Sequence, residues 1–80
     1  MDWRTRIVSN PAILSGKPTI KGTRISVELI LGCFAGEWSF DDILESYPHI
    51  TREDIIAALA YAKHIASTPQ LIEQVSGEED

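Results

Sequence analysis

Apolar residues recur along the chain in two rhythms, and the change between them comes at Ser26. In "SVELILGCF", Val27, Ile30, Leu31 and Phe34 fall at i, i+3, i+4 and i+7, the spacing that gathers side chains on one face of a helix. Ser26 stands where an N-cap belongs, Glu28 lies in the first turn, and Gly36 marks the end. The same stripe returns in Phe40, Ile43, Leu44 and Tyr47, introduced by Ser39 and Asp42 at capping-box spacing and stopped by Pro48. A third helix is expected from Thr51, with Glu53 and Asp54 near the positive end of its dipole and Lys63 and His64 in its last turns. Its inner stripe reads as Ile55, Leu59, Ala62 and Ala66, widened by Ile56, while Ala57, Ala58 and Ala60 would let another element approach the backbone closely. "TPQLIEQV" restarts a short helix over residues 68–75, with Thr68 as cap, Pro69 at the first position and Leu71, Ile72 and Val75 on one side. Residues 76–80 are an acidic, solvated tail.

Before Ser26 the helical period is missing. "RIVS" is short and β-branched, "NP" breaks it, and "AILSGKPTIKGTRIS" reads as two or three extended segments with turns near Gly16-Lys17-Pro18 and Lys21-Gly22. Pro18 cannot donate to a ladder, so its segment belongs at an edge or in a turn. The expectation is a mainly α protein forming one small domain over residues 1–75. It comprises a hairpin-like basic β/turn arm at 1–25, a three-helix core at 26–66 and the short helix at 68–75. No internal repeat interrupts this plan.

Composition narrows the function. A chain of 80 residues buries only about 60% of its unfolded surface, and a ligand pocket of about 300 Å³ or more would consume much of so small a core. A binding module is favoured over an enzyme. The formal charge of -5 conceals a division. Residues 1–24 carry a net +4 and residues 25–80 a net -9, so the basic end is suited to an anionic partner, or to the acidic half of a second copy. Cys33 is the lone cysteine, which rules out an internal disulfide, and Gly32 and Phe34 beside it suggest a small buried hydrophobe. No signal-peptide run and no membrane-span length is present, so a cytoplasmic location is expected.

Three short helices with only "YPHI" between the second and third have the arrangement of a helix-turn-helix DNA reader, in which Thr51 and Arg52 would approach bases or phosphates. Glu53 and Asp54 follow at once and would repel a duplex unless other cations outweigh them. Lys17, Lys21 and Arg24, within eight residues, could supply those cations. The plainer alternatives are that three amphipathic helices are simply an economical core, that Gly16 and Gly22 only provide positive φ, and that the bases are a solvated face or pair with acids on the helices. Trp3 and Trp38 are candidate contact residues, and Ile20 a candidate ladder residue should the arm add as a strand to a partner or another copy. His49 has no ligand partner at metal spacing, His64 fits a helix-end cation, and Asp41 and Asp42 point in different directions on a helix. No catalytic set, metal site or cofactor motif is proposed.

The run "NPAILSGKPTIKGTRISVELIL", with the later block "YPHIT-x-EDI-x-AALAYA", closely resembles the small prokaryotic family catalogued as domain of unknown function 433. The likeness spans about Ile7 to Ala62, and its most specific pieces are Gly16, Lys17 and Pro18, then Ile20, Gly22, Thr23, Arg24 and Ile25. The resemblance implies a homeodomain-like, winged-helix-type domain with a short N-terminal β element. It also implies an antitoxin of a type II toxin-antitoxin pair, one that binds a PIN-like toxin and represses its own promoter. No site residue is carried over from the family. A homodimer is expected of such a small DNA reader, since pairing adds affinity and sets half-site spacing. The alternative is a protein-binding module without DNA activity.

Overall fold

The computed structural model describes residues 2–67. The fold is mainly α, with three helices and a small antiparallel sheet of two strands. The strands are β1 (Ile7–Val8) and β2 (Thr19–Ile20), and the helices are α1 (Val27–Ala35), α2 (Phe40–Ser46) and α3 (Arg52–Ala66). A single 3₁₀ turn at Trp3–Thr5 precedes β1, an element that the hydrophobic pattern does not signal. The expected helix at 68–75 and the tail at 76–80 lie outside the described residues.

Each helix starts where its cap chemistry dictates. The Ser26 hydroxyl accepts from the Leu29 amide at 2.9 Å. Ser39 with Asp42, and Thr51 with Asp54, form reciprocal capping boxes in which hydroxyl and carboxylate each satisfy an otherwise orphaned amide. The end of α1 departs from expectation. Gly36 keeps a φ of -86°, and the left-handed position falls on Glu37 at φ 67°. The amides of Glu37 and Trp38 donate to the carbonyls of Phe34 and Cys33 at 2.9 and 3.0 Å, the bond pattern of a Schellman motif. This end places Trp38 at the mouth of the α1–α2 connection.

Ile7, Ile20, Ile25, Val27, Ile30, Cys33, Ile43, Ile50, Ile55, Ala57 and Ala58 form the core. Helix α3 is its hub, touching α1, α2, β1 and the 3₁₀ turn. That wide cover corrects the expected stripe. Ala57 and Ala58 are wholly buried, whereas Ile56 is 41% exposed and Ala66 faces solvent. The alanines therefore act as close-approach positions, since a helix covered from several directions has little room for larger side chains. In α1 the contact line runs through Val27, Ile30 and Cys33, so Cys33 is buried as expected while Leu31 is left 39% exposed.

Strand β2 is flanked on both sides. Ile7 pairs with Ile20 and Val8 with Thr19 on one side. On the other, Thr19 bridges to Ser26, the Ile20 amide donates to the Ile25 carbonyl at 2.9 Å, and the Val27 amide donates to Pro18 at 3.0 Å.

Candidate nucleic-acid interface

The basic arm ends in a braced turn. The Thr23 amide donates to the Ile20 carbonyl at 3.0 Å, and its hydroxyl donates to the same carbonyl at 2.7 Å while accepting from the Ile25 amide at 3.0 Å. Gly22, at φ 79°, takes the third position of this turn, where a residue with a β-carbon would be strained. Lys21 and Arg24 are thus presented, exposed, from a rigid four-residue loop. Among the described residues neither has an ion-pair partner. Lys17 is further back and lies 3.5 Å from Glu28, an exposed pair that screening leaves weak and readily exchanged.

Arg6 joins this turn to the start of α3. Its carbonyl accepts from the Lys21 amide at 2.7 Å, and its guanidinium donates to the Asp54 carboxylate at 3.0 Å. One arginine side chain therefore spans the gap between the basic turn and the first turn of the helix. Asp54 uses its second oxygen to accept from the Thr51 amide at 2.9 Å, closing the capping box. Nothing near Arg6 in the chain marks it as a site residue, because its partner lies 48 positions away. Its place among the like-charged residues of the basic end is the clue that composition alone could offer.

The arrangement answers one half of the repulsion that Glu53 and Asp54 would exert. Arg6 offsets Asp54, which is only 15% exposed, and leaves Glu53 as the uncompensated acid of that turn. Thr51 is exposed but its hydroxyl accepts from the Asp54 amide at 3.2 Å, so it serves first as a cap. The Arg52 guanidinium lies over the Phe40 ring at 4.5 Å, a contact worth about 0.5–1 kcal/mol at an exposed site. That contact holds its charge against the first residue of α2. Through Arg6, which bonds both Lys21 and Asp54, the turn carrying Lys21 and Arg24 is tied to the first turn of α3, where Thr51 and Arg52 lie.

The candidate partner residues fare differently. Ile20 is 1% exposed with ladder bonds on both sides, so it offers no free edge for strand addition. Trp3 is half-buried, packed edge-on to Tyr61 at 4.9 Å and tilted on His64 at 5.4 Å, and its ring holds the N-terminal segment onto α3 rather than standing free as an anchor. His64 is an exposed member of that aromatic cluster. Trp38 is 39% exposed and, with Asp42, Glu45 and Ser46, lines a shallow cavity of about 330 Å³. Among the described residues no group of three or more histidine, cysteine or acidic side chains is placed to hold a metal. No helix of the described residues is long and apolar enough to cross a membrane.

Comparison with known proteins gives a family and no solved structure matches. The uncharacterized protein y4eO of Sinorhizobium fredii (strain NBRC 101917 / NGR234) is 35% identical over 60 residues, 75% of this chain and 27% of its own length. The chain thus spans about a quarter of that relative. Residues 7–62, which hold the basic turn, all of α1 and α2 and most of α3, match the family described as Protein of unknown function (DUF433), and the chain belongs to that family.

Proposed function

We propose that the protein is a DNA-binding repressor of the antitoxin kind, in which α2 and α3 serve as a helix-turn-helix of the homeodomain-like or winged-helix type. The observation that carries this reading is the Arg6 bridge, which sets the Lys21–Arg24 turn beside the first turn of α3. Lys21, Arg24 and Lys17 hold phosphates, and Thr51 and Arg52 approach the groove from the helix start. Ser46 ends α2 and Arg52 begins α3, a connection short enough for that motif. A homodimer reading two half-sites, acting in the cytoplasm beside a PIN-like toxin partner, completes the proposal.

The test is a fluorescence anisotropy titration of duplex DNA from the gene's own upstream region against a scrambled duplex, at several salt concentrations. Preference for the upstream duplex with affinity falling as salt rises is the expected result. Equal, negligible binding to both at low salt would remove the DNA reading. One observation favours a second reading, a module that binds protein alone: the exposed Trp38 indole sits beside the carboxylates of Asp42 and Glu45, in a hollow that contains no basic side chain. On that reading Trp38→Ala abolishes capture of the partner and leaves DNA irrelevant.

A further inference from the structure

The outward face of α3 carries a side chain that neither the core nor the caps account for. Ile55, Ala57 and Ala58 are wholly buried, while Ile56 among them is exposed. Isoleucine is a poorer helix former than alanine or lysine. Outside the core it gains nothing from burial, so the helix itself has no use for it at this position.

Residues three or four apart in a helix are surface neighbours. Arg52, Ile56, Ala60 and Lys63 follow one another at spacings of four, four and three, so they form one stripe along α3. Arg52, Ile56 and Lys63 are exposed and Ala60 is half-buried. An apolar centre thus lies between two cations. These stand about 16 Å apart along the axis at 1.5 Å per residue, and among the described residues neither has an ion-pair partner. Glu53, also exposed, is the acid next to the stripe at its Arg52 end.

This composition suits the major groove of a duplex. That groove is about 12 Å wide, admits an α-helix and presents one apolar group on its floor, the thymine C5 methyl, which apolar side chains contact. Cations at the ends of the stripe suit the phosphates on the groove's rims. A protein surface is a poorer match, because one isoleucine and one alanine are a small fraction of the roughly 800 Å² that each partner buries in a stable interface. Ile56 stands one turn beyond Arg52, in the first half of α3, and the early residues of a recognition helix are those that reach base edges. We infer that Ile56 contacts a thymine methyl in the major groove, with the small Ala60 letting the helix approach the groove floor. The inference rests on the DNA reading proposed above and adds a base that the protein reads, since phosphate contacts carry no sequence information.

The test titrates the full-length protein, by fluorescence anisotropy at one low salt concentration, with the upstream duplex and with the same duplex in which deoxyuridine replaces every thymidine. That exchange removes the C5 methyl and keeps every hydrogen-bonding group of the pair. Wild-type protein is expected to bind the uridine duplex more weakly, by about four-fold for each methyl that Ile56 covers. Ile56→Ala is expected to bind the thymidine duplex with a similar loss and to distinguish little between the two. Equal affinities in wild-type protein would overturn the inference and leave the DNA reading standing. A ratio unchanged in Ile56→Ala would also overturn it, because the methyls would then be read elsewhere. Self-association lost in Ile56→Ala, seen by sedimentation, with that ratio unchanged, would give the stripe to a second copy. Negligible binding of both duplexes by wild-type protein would remove the DNA reading and the inference with it. Ile56 lies outside the core, and a urea midpoint no lower than that of wild type reports that Ile56→Ala keeps its fold.

Discussion

The two ends of α3 are fastened by different physics. At the first turn the contacts are polar and directional: a capping box, the Arg6 to Asp54 bond at 3.0 Å and the Arg52 guanidinium over Phe40. At the last turns they are aromatic and aliphatic, with Trp3 against Tyr61 and His64 and an apolar groove facing α1. The segment from Trp3 to Arg6 runs between the two, anchored by area at one end and by charge at the other. The difference teaches where each end can be perturbed. Directional bonds fix a geometry that salt weakens, whereas apolar contact sets how firmly the elements adhere.

The middle of α3 supports both ends, so its loss should be felt most. Ile55 is fully buried, and Ile55→Ala should destabilise the fold by about 3 kcal/mol, read as a lower midpoint in urea unfolding with both ends loosened together. Trp3→Ala should act on the apolar end alone, at about 2 kcal/mol from lost area and ring packing, and by the same measurement the loss should change little with salt. Arg6→Gln and Asp54→Asn break the polar end. A double-mutant cycle of the two should give a coupling of about 0.5–1 kcal/mol that shrinks as salt rises. A coupling insensitive to salt would contradict the division between the ends.

The smallest stability effect expected is a gain. Glu37 occupies a left-handed conformation that glycine adopts without strain, so Glu37→Gly should stabilise the protein by about 0.5–1 kcal/mol, seen as a higher urea midpoint. The change also removes a negative charge near Trp38, and Glu37→Gln serves as the control for that.

The helix starts were legible because caps are local chemistry. Ser26, Ser39 and Thr51 each need only a partner three residues away. The extended character of "IV" and of the segment after Pro18 was legible because neither holds the helical period, and Gly22 marked the turn that follows β2. The pairing of the two segments joins positions 11 to 13 apart, beyond the reach of a local pattern. What local pattern could not reveal is how many elements cover one helix. Ala57 and Ala58 rather than Ala66 face the core because α3 is touched by α1, α2, β1 and the N-terminal turn together. Ile20 read as an available ladder residue because nothing nearby in sequence announces that both its sides are taken, by Ile7 and by Ile25. The candidate interface was half legible: the cations were visible as a cluster, but Arg6, which places them beside α3, acts across 48 positions. The packing of Trp3 was hidden for the same reason, its neighbours Tyr61 and His64 lying at the other end of the described chain.

The central claim is that the basic turn and the first turn of α3 form one face for a polyanion. Titration of ¹⁵N-labelled full-length protein with duplex DNA, followed amide by amide, tests it most directly. Shifts gathered at Arg6, Lys21 to Arg24, Thr51 and Arg52, lost together in Lys21→Ala/Arg24→Ala with a salt slope reduced by about 2, are the predicted result. Shifts confined to Trp38 and α2, or an unchanged titration in that double variant, would contradict it.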